Sequence, residues 1–149
     1  MNAFVAAGAG FLLAVLWFDL MFDVQVRGHS DVELPEAVLG SIAAYYARVT
    51  TAARPMNRLI ALVMLATLAA IIVELANALH PLWVAWASLV LALAPILLAL
   101  LRTVPGAVAL GARGGTPAQQ SRLARSICVE HLLCFVSIAA LIGIQLALA

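Results

Sequence analysis

From Leu82 to Leu101 the chain reads LWVAWASLVLALAPILLALL, without one charged side chain. A helix rises about 1.5 Å per residue, so a run of this length matches the roughly 30 Å hydrocarbon core of a bilayer. Three more stretches obey the same rule. They are AFVAAGAGFLLAVLWFDLMF, interrupted by Asp19, the run from Leu59 to Val73, and the later part of RLARSICVEHLLCFVSIAALIGIQ. Apolar residues make up 66% of the chain and charged residues 10%, where a soluble domain carries roughly 25% charge. With a mean hydropathy of +1.12, the chain reads as an all-α membrane protein in which no separate soluble domain fits.

The expected architecture is a single transmembrane domain over residues 1–149, a bundle of four spans near 3–23, 56–76, 82–102 and 126–146. No positively charged segment precedes the first span and no small-residue cleavage site follows it, which favours a retained helix over a signal peptide. Pro35 and Glu36 suit the first turn of another helix. Residues 36–53, EAVLGSIAAYYARVTTAA, are too polar and interrupted to span, and read as a short cytoplasmic interfacial helix with Tyr45 and Tyr46 near the headgroups. Pro55 breaks that helix before the second span. A turn through Asn77, His80 and Pro81 leads to the third span, where Trp83 and Trp86 resemble an aromatic belt, Pro95 favours a kink, and Arg102 can snorkel. The stretch VPGAVALGARGGTP, residues 104–117, reads as a glycine-rich loop. Thr116, Pro117 and Gln119 then supply cap, first-turn proline and capping-box partner for a last helix that overruns the bilayer.

All eight basic residues are arginine, at positions 27, 48, 54, 58, 102, 113, 122 and 125. Every one lies in or beside the first and third connections. By the positive-inside rule those connections are cytoplasmic and both termini face outward. A bacterial inner (plasma) membrane is the expected location. The bilayer is the expected environment, and nothing in the chain suits nucleic acid.

Projected at about 100° per residue, Ser126, Glu130, Cys134, Ser137 and Gln145 share one face of the last helix, a stripe expected to face the bundle interior. Asp19, Asp23 and Arg27 fall at four-residue steps, so a continuing helix places them together, with Asp23 and Arg27 as an interfacial ion pair. Depth bookkeeping brings Asp19, Asp23, Arg54, Asn57, Arg58, Arg102, Arg122, Arg125, Glu130 and His131 to one level near the cytoplasmic boundary. Such a set either closes on itself as ion pairs that pin helix ends, or opens as a site. In the site reading Arg54, Asn57, Arg58, Arg102 and Arg125 hold an anionic group, since the planar guanidinium fork donates two hydrogen bonds at once. Asp19, Glu130 and His131 are then the candidates for proton transfer. Cofactors are not legible.

Metal binding has weaker support. His29, His131, Asp19, Asp23 and Glu130 supply donors, with His29, His131 and Asp23 as the metal candidates, but no Glu-x-x-His or His-x-x-x-His spacing occurs and arginines crowd the region. Cys128 and Cys134 lie about 9 Å apart along one helix, too far to bridge. Ala6, Gly10 and Ala14, and again Ala139, Gly143 and Ala147, form small-residue tracks suited to close helix packing within the bundle or against another copy. A conduit needs polar groups through the whole thickness, and the outer half offers only Thr67, Ser88, Glu74 and Gln145, with Asn77 and His80 at its surface.

In layout the chain resembles the anthrone-oxygenase-like family of small four-helix membrane proteins. The likeness rests on the glycine-containing first span GAGFLLAVLWFDLMF, the approach to the second span through YYARVTTAARPMNRLIAL, and a last span opening RLARSICVEH. That resemblance implies cofactor-independent oxygenation or a function not yet characterised, and it assigns no residue a role. The residues themselves leave two main classes open: a binder or enzyme for a small anionic or amphipathic molecule, and a non-catalytic subunit of a larger membrane complex or homo-oligomer. Ion or proton transport is a third, less supported class.

Overall fold

The computed structural model describes residues 2–147. The side chain of Arg54, one of the ligand candidates, lies outside that description. The described residues form α1 (Asn2–Asp23), α2 (Glu36–Ala47), α3 (Arg54–Ala76), α4 (Leu82–Leu98), α5 (Val104–Gly111) and α6 (Pro117–Ala147). Tight 3-10 turns over Val24–Gly28 extend α1, and wide π turns over Arg48–Ala52 and Ala99–Thr103 follow α2 and join α4 to α5. Four continuous helical segments are long and apolar enough to cross a membrane, at Asn2–Gly28, Pro55–Ala76, Leu82–Gly111 and Pro117–Ala147.

The outside of the bundle is as apolar as its inside. Leu62, Leu65, Val90, Leu101 and Val136 are all exposed, as expected where lipid tails are the solvent. Buried apolar side chains form two cores. One, around Ala9, Ile71, Ala92 and Leu141, joins α1, α3, α4 and α6; the other, around Ile42, Tyr46, Leu110 and Ile127, joins α2, α5 and α6. The second core lies at the arginine-rich end, and α6 is the wall shared by both.

Residues 104–117 are not the loop expected from their glycines. Helix continues through Gly111, and only the next few residues turn before α6 begins. Pro105, which has no N–H for the helical ladder, directly follows the wide π turn over Ala99–Thr103, and glycine is required where α5 crosses α2. A Cβ on Gly111 meets the Ala47 nitrogen at 2.7 Å and its Cα at 3.0 Å. The start of α6 is the reciprocal cap that its residues anticipate: the Gln119 N–H donates to Thr116 Oγ1 at 3.3 Å, and the Thr116 N–H donates to Gln119 Oε1 at 2.9 Å.

Pro95 sits inside α4 and has no N–H to give the carbonyl of Leu91, four residues back. The Ser137 hydroxyl on α6 donates to that carbonyl at 3.3 Å. A lost rung in one span is thus replaced from another, as a backbone in lipid requires.

The small-residue tracks do not mark the tightest contact within the chain. A Cβ on Gly10 or Gly143 meets nothing within 4 Å, whereas one on Gly8 collides with the Thr67 hydroxyl of α3. Close approach of α1 and α3 therefore depends on Gly8, midway between the repeat positions Ala6 and Gly10.

Candidate functional site

Consecutive residues on a helix point about 100° apart, and Glu130 and His131 accordingly face different neighbours. The cluster expected at one depth divides between two sides of α6.

His131 faces α1 and α2. Its Nδ1 lies 2.6 Å from Asp23 Oδ2, and Asp23 Oδ1 accepts a hydrogen bond from the Tyr46 hydroxyl at 2.6 Å. The other ring nitrogen, Nε2, lies 3.9 Å from Asp19 Oδ2, while Asp19 Oδ1 accepts from the Tyr45 hydroxyl at 2.6 Å. One imidazole therefore stands between two carboxylates, each held by a phenol. Asp23 has 0% exposure, so its carboxyl oxygens depend wholly on these donors. Phe22 stacks on Tyr45 with ring centroids 4.1 Å apart and closes one edge of the network. Burial first, and then the neighbouring aspartates, push both phenols well above the usual tyrosine value, so both remain donors. Three helices meet in these few contacts.

This arrangement corrects two expectations. Asp23 does not form an interfacial pair with Arg27; the chain tightens into 3-10 turns after Asp23, and the carboxylate turns inward to His131 and Tyr46. Nor do both tyrosine side chains face outward from the bundle. Tyr46 is buried and Tyr45 is half-buried. The signal for Tyr46 was present in the sequence: Leu39, Ile42, Ala43 and Tyr46 recur at the spacing of one helix face, and all four are buried.

Glu130 faces the junction of α4 and α5. The Thr103 hydroxyl donates to Oε2 at 2.8 Å, the Ser126 hydroxyl donates to Oε1 at 2.9 Å, and Arg102 Nε lies 3.5 Å from Oε1. The π turn over Ala99–Thr103 carries both Arg102 and Thr103 to this point. Beside them runs an open groove of about 490 Å³. Arg102, Arg122 and Arg125 line it together with Glu130, and Leu98, Val129 and Leu133 continue it as an apolar wall.

The remaining candidates separate. Arg125 lines the groove but donates to the backbone carbonyls of His29 at 3.1 Å, Asp31 at 2.5 Å and Val32 at 3.3 Å, tying the loop before α2 to α6. His29 contributes its carbonyl to that clamp. Asn57 donates to the Thr50 carbonyl at 3.3 Å, and Arg58 is exposed on α3; neither lines the groove. Among the described residues no three of His, Cys, Asp and Glu come together as a metal-binding group. Both cysteines are buried and free.

At the opposite end Glu74, Ser88 and Gln145 converge from α3, α4 and α6, and all are buried. Gln145 Nε2 donates to Glu74 Oε2 and to Ser88 Oγ, each at 3.2 Å.

Fold and geometry together define a four-span helical membrane protein with a locked acid–histidine–tyrosine network and an arginine-lined groove at one end. Comparison with known proteins finds no matching family model, no similar curated protein and no similar solved structure.

Proposed function

We propose that the chain binds an anionic amphiphile, a molecule with a phosphate or carboxylate head and an apolar tail, in the groove between the α4–α5 junction and α6. The observation that carries this reading is the lining itself. Three arginines and one glutamate leave a net charge of +2 (3 − 1) at one end, and the other end is leucine and valine. Glu130 is already satisfied by Thr103, Ser126 and Arg102, which leaves Arg122 as the fork most available to a ligand and Arg102 as its neighbour. By charge the arginine-rich end is cytoplasmic and both termini face out. A cysteine introduced at residue 2 and labelled by an impermeant reagent from the cytoplasmic side would reverse that orientation.

The Asp19–His131–Asp23 network is read as a lock and not as a reaction centre, because its members direct their hydrogen bonds to one another. Transport has a physical obstacle: the apolar core around Ala92, Ile138 and Leu141 separates the two polar ends.

The test uses the full chain in detergent and native mass spectrometry with phosphatidic acid, oleate or phosphatidylcholine as probe. Retention of phosphatidic acid and oleate over phosphatidylcholine is expected. A charge-assisted contact contributes enough that removing one arginine weakens binding about tenfold, so Arg102→Gln with Arg122→Gln should abolish retention while Arg113→Gln preserves it. Equal retention by the double variant refutes the proposal. Phosphatidic acid without oleate identifies a phosphate head; both together identify a head of either kind.

A second reading, a partner-binding subunit, draws on an apolar groove of about 430 Å³ lined by Gly10, Leu13, Ala14, Trp17, Phe18 and Phe135 on the lipid side. Bulky substitution at Gly10 that disperses a detergent-stable oligomer, with amphiphile retention unchanged, would favour it.

A further inference from the structure

The buried end formed by Glu74, Ser88 and Gln145 is not used by the groove or by the histidine lock. Each of these residues comes from a different span, and together they place a carboxylate, a hydroxyl and a carboxamide inside the bundle. Glu74 and Gln145 are each 1% exposed and Ser88 is 0%. An acid in this position needs a full set of partners, because lipid supplies none.

The partners can be counted. Gln145 gives its amide hydrogens to Glu74 Oε2 and Ser88 Oγ. Among the described residues, Glu74 Oε1 and Gln145 Oε1 are buried and have no hydrogen-bond donor. The charged or titratable group against Glu74 is His80, from the turn between α3 and α4, whose Nε2 lies 3.9 Å from Oε1. That nitrogen is 2.8 Å from Asn2 Oδ1, so its single hydrogen is directed there. Glu74 is left with one oxygen facing inward and no donor. Both unmatched atoms are hard oxygens on side chains already in contact, and Gln145 Nε2 joins them to the Ser88 oxygen.

We propose that Glu74 Oε1 and Gln145 Oε1, with Ser88 Oγ, bind a small monovalent cation of the sodium class, admitted from the end of the bundle where His80 and Asn2 lie. Oxygen-only donors suit a hard cation and not a transition metal. One carboxylate balances a single positive charge, and among the described residues no second acid joins it to favour a divalent ion. The cation bridges α3 and α6 and, through Ser88, α4, so its binding is linked to the stability of the bundle. The site is independent of the amphiphile groove, and either proposal can fail without the other.

The test is thermal unfolding of the full chain in a neutral detergent at constant ionic strength, with sodium, lithium, potassium or choline chloride as the salt. Sodium at a hundredfold excess over its Kd should raise Tm by about 5–10 °C relative to choline, and Glu74→Gln should remove that increment. Should Glu74→Gln fail to fold, Ser88→Ala provides the alternative: its Tm in choline falls with the loss of the Gln145 hydrogen bond, and the half-saturating sodium concentration should rise severalfold. Equal Tm in sodium and choline for the native chain overturns the proposal. So does stabilisation by acid alone, with no cation selectivity at any pH, because the occupant of Glu74 is then a proton.

Discussion

Replacing Tyr46 by Phe removes one oxygen and leaves the packing of α2 almost unchanged. The phenol is 2% exposed and donates at 2.6 Å to Asp23 Oδ1, on a residue with 0% exposure. The loss is therefore that of a hydrogen bond to a buried charge, about 1.5–3 kcal/mol. Its sign follows from asymmetry: the carboxylate stays buried, keeps its bond to His131, and has nothing in reach to replace the phenol. Tyr45→Phe makes the same chemical change one residue earlier, against Asp19, whose side chain is 16% exposed. Solvent can supply part of what that carboxylate loses, so the cost should be about 0.5–1.5 kcal/mol. For a chain of this size, 1 kcal/mol corresponds to roughly 2–4 °C, which places the Tyr46 variant about 3–12 °C below the native chain and the Tyr45 variant a few degrees below it. A thiol-reactive fluorescent dye in detergent is a suitable assay, because Cys128 and Cys134 are both buried and free and react only as the bundle opens. Equal shifts for the two variants, or a larger shift for Tyr45→Phe, would refute the view that burial of the acceptor sets the strength of the lock.

Two further predictions concern the same end of the molecule. Gly111→Ala drives a methyl group into the Ala47 backbone, with contacts of 2.7 and 3.0 Å, and should lower stability by about 1–3 kcal/mol; Gly143→Ala, with open space around it, is the neutral control in the same dye assay. The phenols of Tyr45 and Tyr46 are raised by burial and by the adjacent aspartates, so the folded chain holds those protons above pH 10 while the unfolded chain releases them near the usual value of about 10. Their contribution to stability is complete below pH 10 and declines as pH rises past it. Absorbance near 295 nm should show no ionisation of these two side chains at pH 10.5 in the folded chain, and tyrosinate from both at pH 10 would contradict the buried network.

Much of the architecture was legible because lipid makes a simple demand. Long apolar runs, an absence of charge from Leu82 to Leu101, and the cap at Thr116 mark helices whatever their neighbours are. The site was harder to read, because depth along a helix says where a residue lies and nothing about which way it points. Glu130 and His131 share a level, yet one faces Thr103 and Arg102 and the other faces Asp23 and Tyr46. Arg125 matched the pattern of an anion ligand but holds three backbone carbonyls, a role that depends on the path of a loop the sequence does not specify. The helix over residues 104–111 was hidden by its proline and glycines, which signal a break in water and are tolerated where another helix packs against them. In the sequence Glu74 stands only among the few polar groups of the outer half, with nothing to say which way it points. Only the meeting of three helices shows that its carboxylate points inward.

The bond between Asp23 and His131 joins residues 108 positions apart in the chain, and this bears on how the protein is made. The first span enters the membrane carrying two aspartates near its end, and the imidazole that faces them belongs to α6, three spans later among the described residues. Until that helix arrives Asp23 lacks its histidine partner, and its carboxylate depends on Tyr46 and on water at the membrane boundary. Arrival of α6 therefore completes the set of partners around Asp23, and a protein truncated after its third span should be less stable in the membrane.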